Sequence, residues 1–104
     1  MKALAEELRN SVFRAMPIAQ ERVDLKNRAI VYGLGSLGAN LCAIEIGEDS
    51  VKVRFVTGSR LADPERLLEC SEGEARTITM GIQEKIRSEP FERLVAQAFV
   101  MNAG

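Results

Sequence analysis

The glycines Gly33, Gly35 and Gly38 have the G-x-G-x-x-G spacing that occurs where proteins bind dinucleotides. They directly follow the apolar run at residues 29–32, as such glycines follow the first strand of a nucleotide-binding unit. In that unit the last glycine opens a helix whose N-terminus holds the pyrophosphate. The same glycines also suit a bend or bulge between two strands, which needs no ligand.

The residues after the glycines favour the bend. Residues 51–55 alternate apolar and polar side chains, whereas a strand of a nucleotide-binding sheet is buried on both faces. Val56 and Thr57 stand where that unit carries an acidic residue, although Arg60 nearby suits a 2′-phosphate. The dinucleotide hypothesis predicts a helix over residues 39–46 and the bend predicts a strand; we expect the strand.

The composition argues against most familiar catalytic machinery. The 104 residues include no histidine, which excludes Ser-His-Asp and Cys-His catalysis and most zinc sites. The 14 basic and 15 acidic side chains give a net charge of -1, so we expect no nucleic-acid partner. No apolar run approaches the ~18–20 residues of a membrane span, and two cysteines predict free thiols in a cytoplasmic protein. We therefore predict no catalytic residue, cofactor, metal site or membrane partner.

Arg76 is the charged residue most in need of a partner. It shares one face of a predicted strand with Ile78 and Met80, the side that we expect to be buried. Its guanidinium must then pair with an acid or reach solvent. One interpretation is an ion pair with Asp63 or Glu69 that fastens the preceding loop to the sheet.

The other interpretation is a site for a small anionic ligand. Arg60 and Arg76 would supply positive charge, and backbone amides around Gly58 would assist. Asp63 belongs to the same candidate set, but its place before Pro64 suits a helix N-cap better. Both interpretations stay open.

Periodicity predicts the elements that carry these residues. Apolar residues recur at helical spacing before Pro17, namely Leu4, Leu8, Val12 and Ala15. Residues 42–46 and 51–55 alternate around a turn, which predicts a β-hairpin with one solvated face. Shorter strands are expected around residues 23–25, 29–32 and 76–80, a helical turn after Asp63, and C-terminal helices around residues 82–86 and from Ser88 onward. The fold class is therefore α+β: a mainly antiparallel sheet of about 4–5 strands with an N-terminal helix and C-terminal helices packed on it.

A further pattern spans residues 55–76. It consists of Phe55, Gly58, Leu61, Asp63, Pro64, Leu67, Leu68, Glu69 and Arg76. This set resembles the signature of the YdhG-like family, small bacterial proteins that form a domain of unknown function. Met16, Pro17 and Glu21 resemble the family's proline-then-glutamate stretch. Residues 25–28 replace its Trp-Gly-x-Pro sequence, and Cys70 and residues 72–73 replace its Gly and Gly-Lys positions.

The resemblance implies one divergent YdhG-like domain over residues 1–104, a cytoplasmic binding or interaction module without catalytic activity. Some relatives are described as resembling frataxin and binding iron, so an iron-handling protein with exposed carboxylates is the alternative. A dinucleotide-binding unit built on Gly33, Gly35 and Gly38 is the second alternative. Because a small sheet leaves edges to be paired, we also expect a homodimer through an uncovered edge or face.

Overall fold

The computed structural model describes residues 2–34, 39–70, 73–81 and 87–103. Helix α1 (Lys2–Ala15) precedes six strands and helix α2 (Ser88–Ala103), and a short 3-10 helix lies at Gly58–Arg60. The strands are β1 (Gln20–Asp24), β2 (Ala29–Leu34), β3 (Ala39–Ile46), β4 (Ser50–Phe55), β5 (Glu69–Cys70) and β6 (Arg76–Gly81). Within these residues no helix is both long and apolar enough to cross a membrane.

The strands form one sheet in the order β1-β2-β3-β4-β6-β5, and every neighbouring pair is antiparallel. Strand β5 has only two residues, whereas each of the others has five or more. The predicted α+β fold, with an antiparallel sheet and a helix at each end of the chain, is therefore confirmed. The helical turn predicted around Ile82 and Ile86 lies outside the described residues.

The β3–β4 hairpin forms as its alternating pattern predicts. Cys42 lies opposite Phe55 and Ile44 lies opposite Val53, and all four side chains are fully buried. Alternation sends the side chains between them to the other face of the sheet. Residues 39–46 are thus the strand that a bend predicts and not the helix that a pyrophosphate site requires.

One hydrophobic core lies between the sheet and the two helices. Helix α1 contributes Leu4, Leu8 and Val12, whose spacing of four places them on one buried face. The largest fully buried side chains of the core are aromatic: Tyr32, Phe55, Phe91 and Phe99. The opposite face of the central strands is polar and carries Glu45, Lys52, Arg54 and Thr79. The helices therefore cover one face of the sheet, and the described residues of the other face include these polar side chains.

Two local predictions differ from the structure. Strand β1 lies earlier than the strand expected around residues 23–25, because Asp24 closes a turn. Its carboxylate accepts hydrogen bonds from the Asn27 backbone N–H (3.2 Å) and side-chain amide (2.8 Å). The helical turn predicted after Asp63 is a single turn that stops at Arg66, whose φ of 54° is left-handed.

Phe91 anchors α2, since its ring meets Phe55 edge-on with centroids 6.2 Å apart. Phe91→Ala should lower the free energy of unfolding by about 3–5 kcal/mol, because it leaves a cavity in the core. Val100 on the same helix is 68% exposed, so Val100→Ala should change the free energy of unfolding by less than about 0.5 kcal/mol. Urea denaturation measures both variants, and equal losses would contradict the buried face assigned to α2.

Candidate functional site

The four residues predicted to bind an anion lie between the end of β4 and the start of β6: Gly58, Arg60, Asp63 and Arg76. The structure brings Gly58 and Arg76 into contact. A Cβ atom on Gly58 would overlap the Arg76 Cβ atom and lie 2.9 Å from the Arg76 Cγ and backbone nitrogen. The Arg76 stem therefore covers Gly58, and only a residue without a side chain fits beneath it.

The Arg76 guanidinium turns to the backbone of the preceding turn. Its Nη1 atom donates to the Gly73 carbonyl (3.0 Å) and to the Ala75 carbonyl (2.8 Å). Among the described ion pairs, none joins Arg76 to Asp63 or Glu69. Of the two interpretations, the ion pair is therefore wrong, because the carbonyls of the preceding turn accept the guanidinium hydrogen bonds.

Arg60 and Asp63 also make contacts within the chain. The Arg60 Nε atom donates to Glu74 Oε1 at 3.0 Å on the exposed surface. The Asp63 carboxylate accepts hydrogen bonds from the backbone N–H groups of Leu67 (3.0 Å) and Leu68 (2.9 Å). The helix N-cap expected of Asp63 is therefore not formed, because its carboxylate bonds to residues four and five positions on and closes a loop. Binding an anion between the two arginines would require Arg60 to leave Glu74.

A polar network links α1 to the first two strands. Glu21 Oε2 accepts hydrogen bonds from Arg9 Nε and from the Tyr32 hydroxyl, both at 2.7 Å. Arg9 also lies 5.3 Å from the centroid of the Phe13 ring, which meets the Tyr32 ring edge-on. The spacing of Arg9 and Glu21 in the sequence does not predict this network, because the contact forms only when α1 and β1 come together in the fold.

The environment moves the pKa of each acidic group in this region away from neutral pH. Partial burial raises the pKa of Glu21, but hydrogen bonds from Arg9 and Tyr32 outweigh it, so that the pKa lies below its usual 4.5. Burial and the bond to Glu21 raise the pKa of Tyr32 far above its usual range. Burial raises the pKa of the neighbouring Cys42 thiol to about 12. None of these groups is suited to exchange a proton near neutral pH.

Strand β1 is an edge strand with an apolar margin. It pairs with β2 on one side and with no other described strand. Val23 is 68% exposed and Leu25 is 85% exposed. They line an open groove together with the half-buried Ile30 and Ile46. We call these four residues the apolar corner.

Of the glycine motif, Gly33 alone lies within the described residues. It belongs to β2 and follows a register shift between Tyr32 and Gly33, where a glycine is favourable. Gly35 and Gly38 lie outside the described residues. In the part of the chain that the structure describes, no three Asp, Glu, Cys or His side chains gather to hold a metal ion.

The chain matches no protein-family model, no curated protein and no solved structure. Membership of the YdhG-like family therefore stays a prediction.

Glu21→Gln tests the Glu21 network through its pH dependence. Because the pKa of Glu21 is lowered by folding, its stabilisation is present above the usual value of 4.5 and is lost as the pH falls through the folded value. At neutral pH the variant should lose about 1–2 kcal/mol of unfolding free energy, an amount limited by solvent screening. Urea denaturation at several pH values should show this loss shrinking in acid.

Glu89→Gln is the matched control, since Glu89 pairs with Arg93 on the exposed surface of α2. It should change the unfolding free energy by less than about 0.5 kcal/mol. A loss in Glu21→Gln that stays constant from neutral to acidic pH would contradict the role assigned to the carboxylate.

Gly58→Ala tests the contact beneath Arg76. The new methyl group must displace the Arg76 stem, so the free energy of unfolding should fall by about 1–3 kcal/mol. Ser59→Ala alters the exposed next residue of the same 3-10 helix and should cost less than about 0.5 kcal/mol. Thermal denaturation compares the two, and an unchanged midpoint in Gly58→Ala would rule out the close packing.

Proposed function

We propose that this chain is a small cytoplasmic interaction domain without catalytic activity, similar to the YdhG-like family, that self-associates through β1. The observation that supports this most strongly is the free edge of β1 beside the apolar corner. Both Val23 and Leu25 expose more than two thirds of their surface there, at 68% and 85%. Apolar side chains grouped next to a free strand edge are typical of a protein-binding surface.

The edge of β1 has few of the features that protect edge strands from pairing. Natural proteins block such edges with charged side chains, with proline, with a bulge or with a covering segment. Strand β1 contains no proline, and its register with β2 is uninterrupted. Its charged residues include both signs, namely Glu21, Arg22 and Asp24, so they do not repel every partner. The opposite edge is a poorer candidate because β5 has only two residues.

The chemistry of the described side chains supports the non-catalytic part of the proposal. The Cys42 thiol is buried and its pKa is raised to about 12, so little of the reactive thiolate forms. The Tyr32 hydroxyl is committed to Glu21. The balance of basic and acidic residues, with a net charge of -1, favours a protein partner over nucleic acid.

The other hypotheses have less support. A small anion would compete with Glu74 for Arg60 and with backbone carbonyls for Arg76. A dinucleotide site needs a helix where β3 lies. No observation on the described residues favours iron handling.

Sedimentation velocity over a range of concentrations tests the proposal, with a lysine at the apolar corner as the disruptive change. The wild type should show a reversible monomer–dimer equilibrium. Leu25→Lys should weaken the dimer at least about tenfold, because each copy loses a buried leucine contact worth roughly 1.5–3 kcal/mol.

Val100→Lys is the matched control, because Val100 is as exposed as Val23, at 68%, but belongs to α2 and not to the apolar corner. It should leave the equilibrium unchanged. A wild type that remains monomeric at every concentration, or equal effects of the two lysines, would refute association through β1.

A further inference from the structure

We infer that the strand added at β1 is the β1 of a second copy, antiparallel about a two-fold axis at Val23, with Arg22 of each copy opposite the partner's Asp24. The inference rests on the proposed function and adds to it the register of the two β1 strands and the charged pairs that favour this register. The pairing joins two six-stranded sheets into one continuous sheet.

Backbone hydrogen bonds determine which residues of β1 face the free edge. The Ile46 N–H donates to the Arg28 carbonyl at 2.9 Å, just before β2 begins. Because backbone groups alternate in direction along a strand, the even-numbered residues of β2 direct theirs toward β3. Odd-numbered positions consequently face β1, where they oppose its even-numbered residues. Glu21 and Val23 therefore direct their N–H and C=O groups to the free edge.

Charge then selects among the two-fold registers that bring these outward residues together. A centre at Glu21, Arg22 or Asp24 sets two identical charges directly opposite each other, which destabilises a strand pair. A centre at Val23 avoids this conflict. It also places Arg22 opposite the partner's Asp24 twice in each dimer. These positions form non-hydrogen-bonded pairs, in which opposing side chains lie closest.

The same register merges the apolar corners of the two copies. Val23 lies opposite Ile30 and shares the face that carries the helices, whereas Arg22 and Asp24 lie on the open face. Directly opposite residues share a face, so both copies keep their helices on one side of the joined sheet. Val23 then contacts the partner's Val23, and the two Leu25 side chains lie on either side of the axis.

Charge reversal tests the register. Arg22→Glu places a carboxylate opposite the partner's Asp24, and Asp24→Lys places an ammonium opposite the partner's Arg22. Each variant alone should dimerise about tenfold more weakly than the wild type, because both attractive pairs become repulsive. An equimolar mixture should recover the affinity of the wild type, because every pair is again opposite in charge. Sedimentation equilibrium at low ionic strength measures all three samples.

Asp24→Lys also removes the oxygen atoms that Asn27 contacts, so its fold must be checked by circular dichroism. If it does not fold, Asp24→Asn takes its place, since its single amide oxygen still accepts one of the two Asn27 hydrogen bonds. Mixed with Arg22→Glu, it should dimerise more tightly than Arg22→Glu alone, because the repulsive pair is gone.

A cysteine at the axis gives a second, independent readout in a Cys70→Ser background. When oxygen is supplied as the oxidant, Val23→Cys should form an intermolecular disulfide, because opposite residues of a hydrogen-bonded pair have Cα atoms ~5.5 Å apart. Leu25→Cys is the matched control. It lies opposite the partner's Glu21 and should crosslink several-fold more slowly.

The outcomes separate the register from the proposed function. A wild type that never dimerises overturns both. A wild-type dimer that ignores charge reversal, or that crosslinks at Leu25→Cys as fast as at Val23→Cys, overturns the register and leaves association through β1 intact. Recovery in the mixture together with selective crosslinking at Val23→Cys supports the register.

Discussion

The structure depends on the alternation of side chains across an antiparallel sheet of which one face is buried. In β3 and β4 this alternation sends Cys42, Ile44, Val53 and Phe55 into the core, where none is exposed. Each buried side chain of this size contributes roughly 1.5–3 kcal/mol, and a register shift of one residue would turn all of them toward solvent. The helices are amphipathic because this single apolar face is what they cover.

The helices cover one face of the sheet, so the edge strand β1 is held by other interactions. At one end of β1, the Glu21 carboxylate ties the strand to α1 through Arg9 and to β2 through Tyr32. Toward the other end, Val23 and the following Leu25 stay exposed. The same short strand therefore combines a firm attachment to the fold with a free edge, and this combination suits a surface that receives another strand.

Much of the fold could be predicted from the sequence because it follows from local periodicity. The buried face of α1, the β3–β4 hairpin and the final helix each repeat an apolar pattern within a few residues. The alternation of residues 51–55 also favours a bend at the glycines over a nucleotide site, because a nucleotide-binding sheet buries both faces of its strands. The place of Asp63 before Pro64 indicates that its carboxylate bonds to nearby backbone N–H groups, but not that these belong to a loop instead of a helix.

The candidate sites were harder to predict because they depend on distant parts of the chain. Arg60 pairs with Glu74, and Arg76 packs over Gly58, only after the connection between β4 and β6 has folded back. The Arg9–Glu21 contact requires α1 and β1 to come together in the fold. The spacing of residues in the sequence does not predict these contacts, since several acidic residues lie equally near each arginine along the chain.

The most direct measurement of the central claim is an isotope-filtered NMR spectrum of a mixture of labelled and unlabelled protein. In a non-hydrogen-bonded antiparallel pair the Cα atoms lie only about 4.5 Å apart, which brings their α-protons into contact. The two-fold pairing predicts an intermolecular cross-peak between the α-protons of Arg22 and the partner's Asp24. A dimer that shows instead a cross-peak between Arg22 and the partner's Arg22, or none from β1, would contradict it.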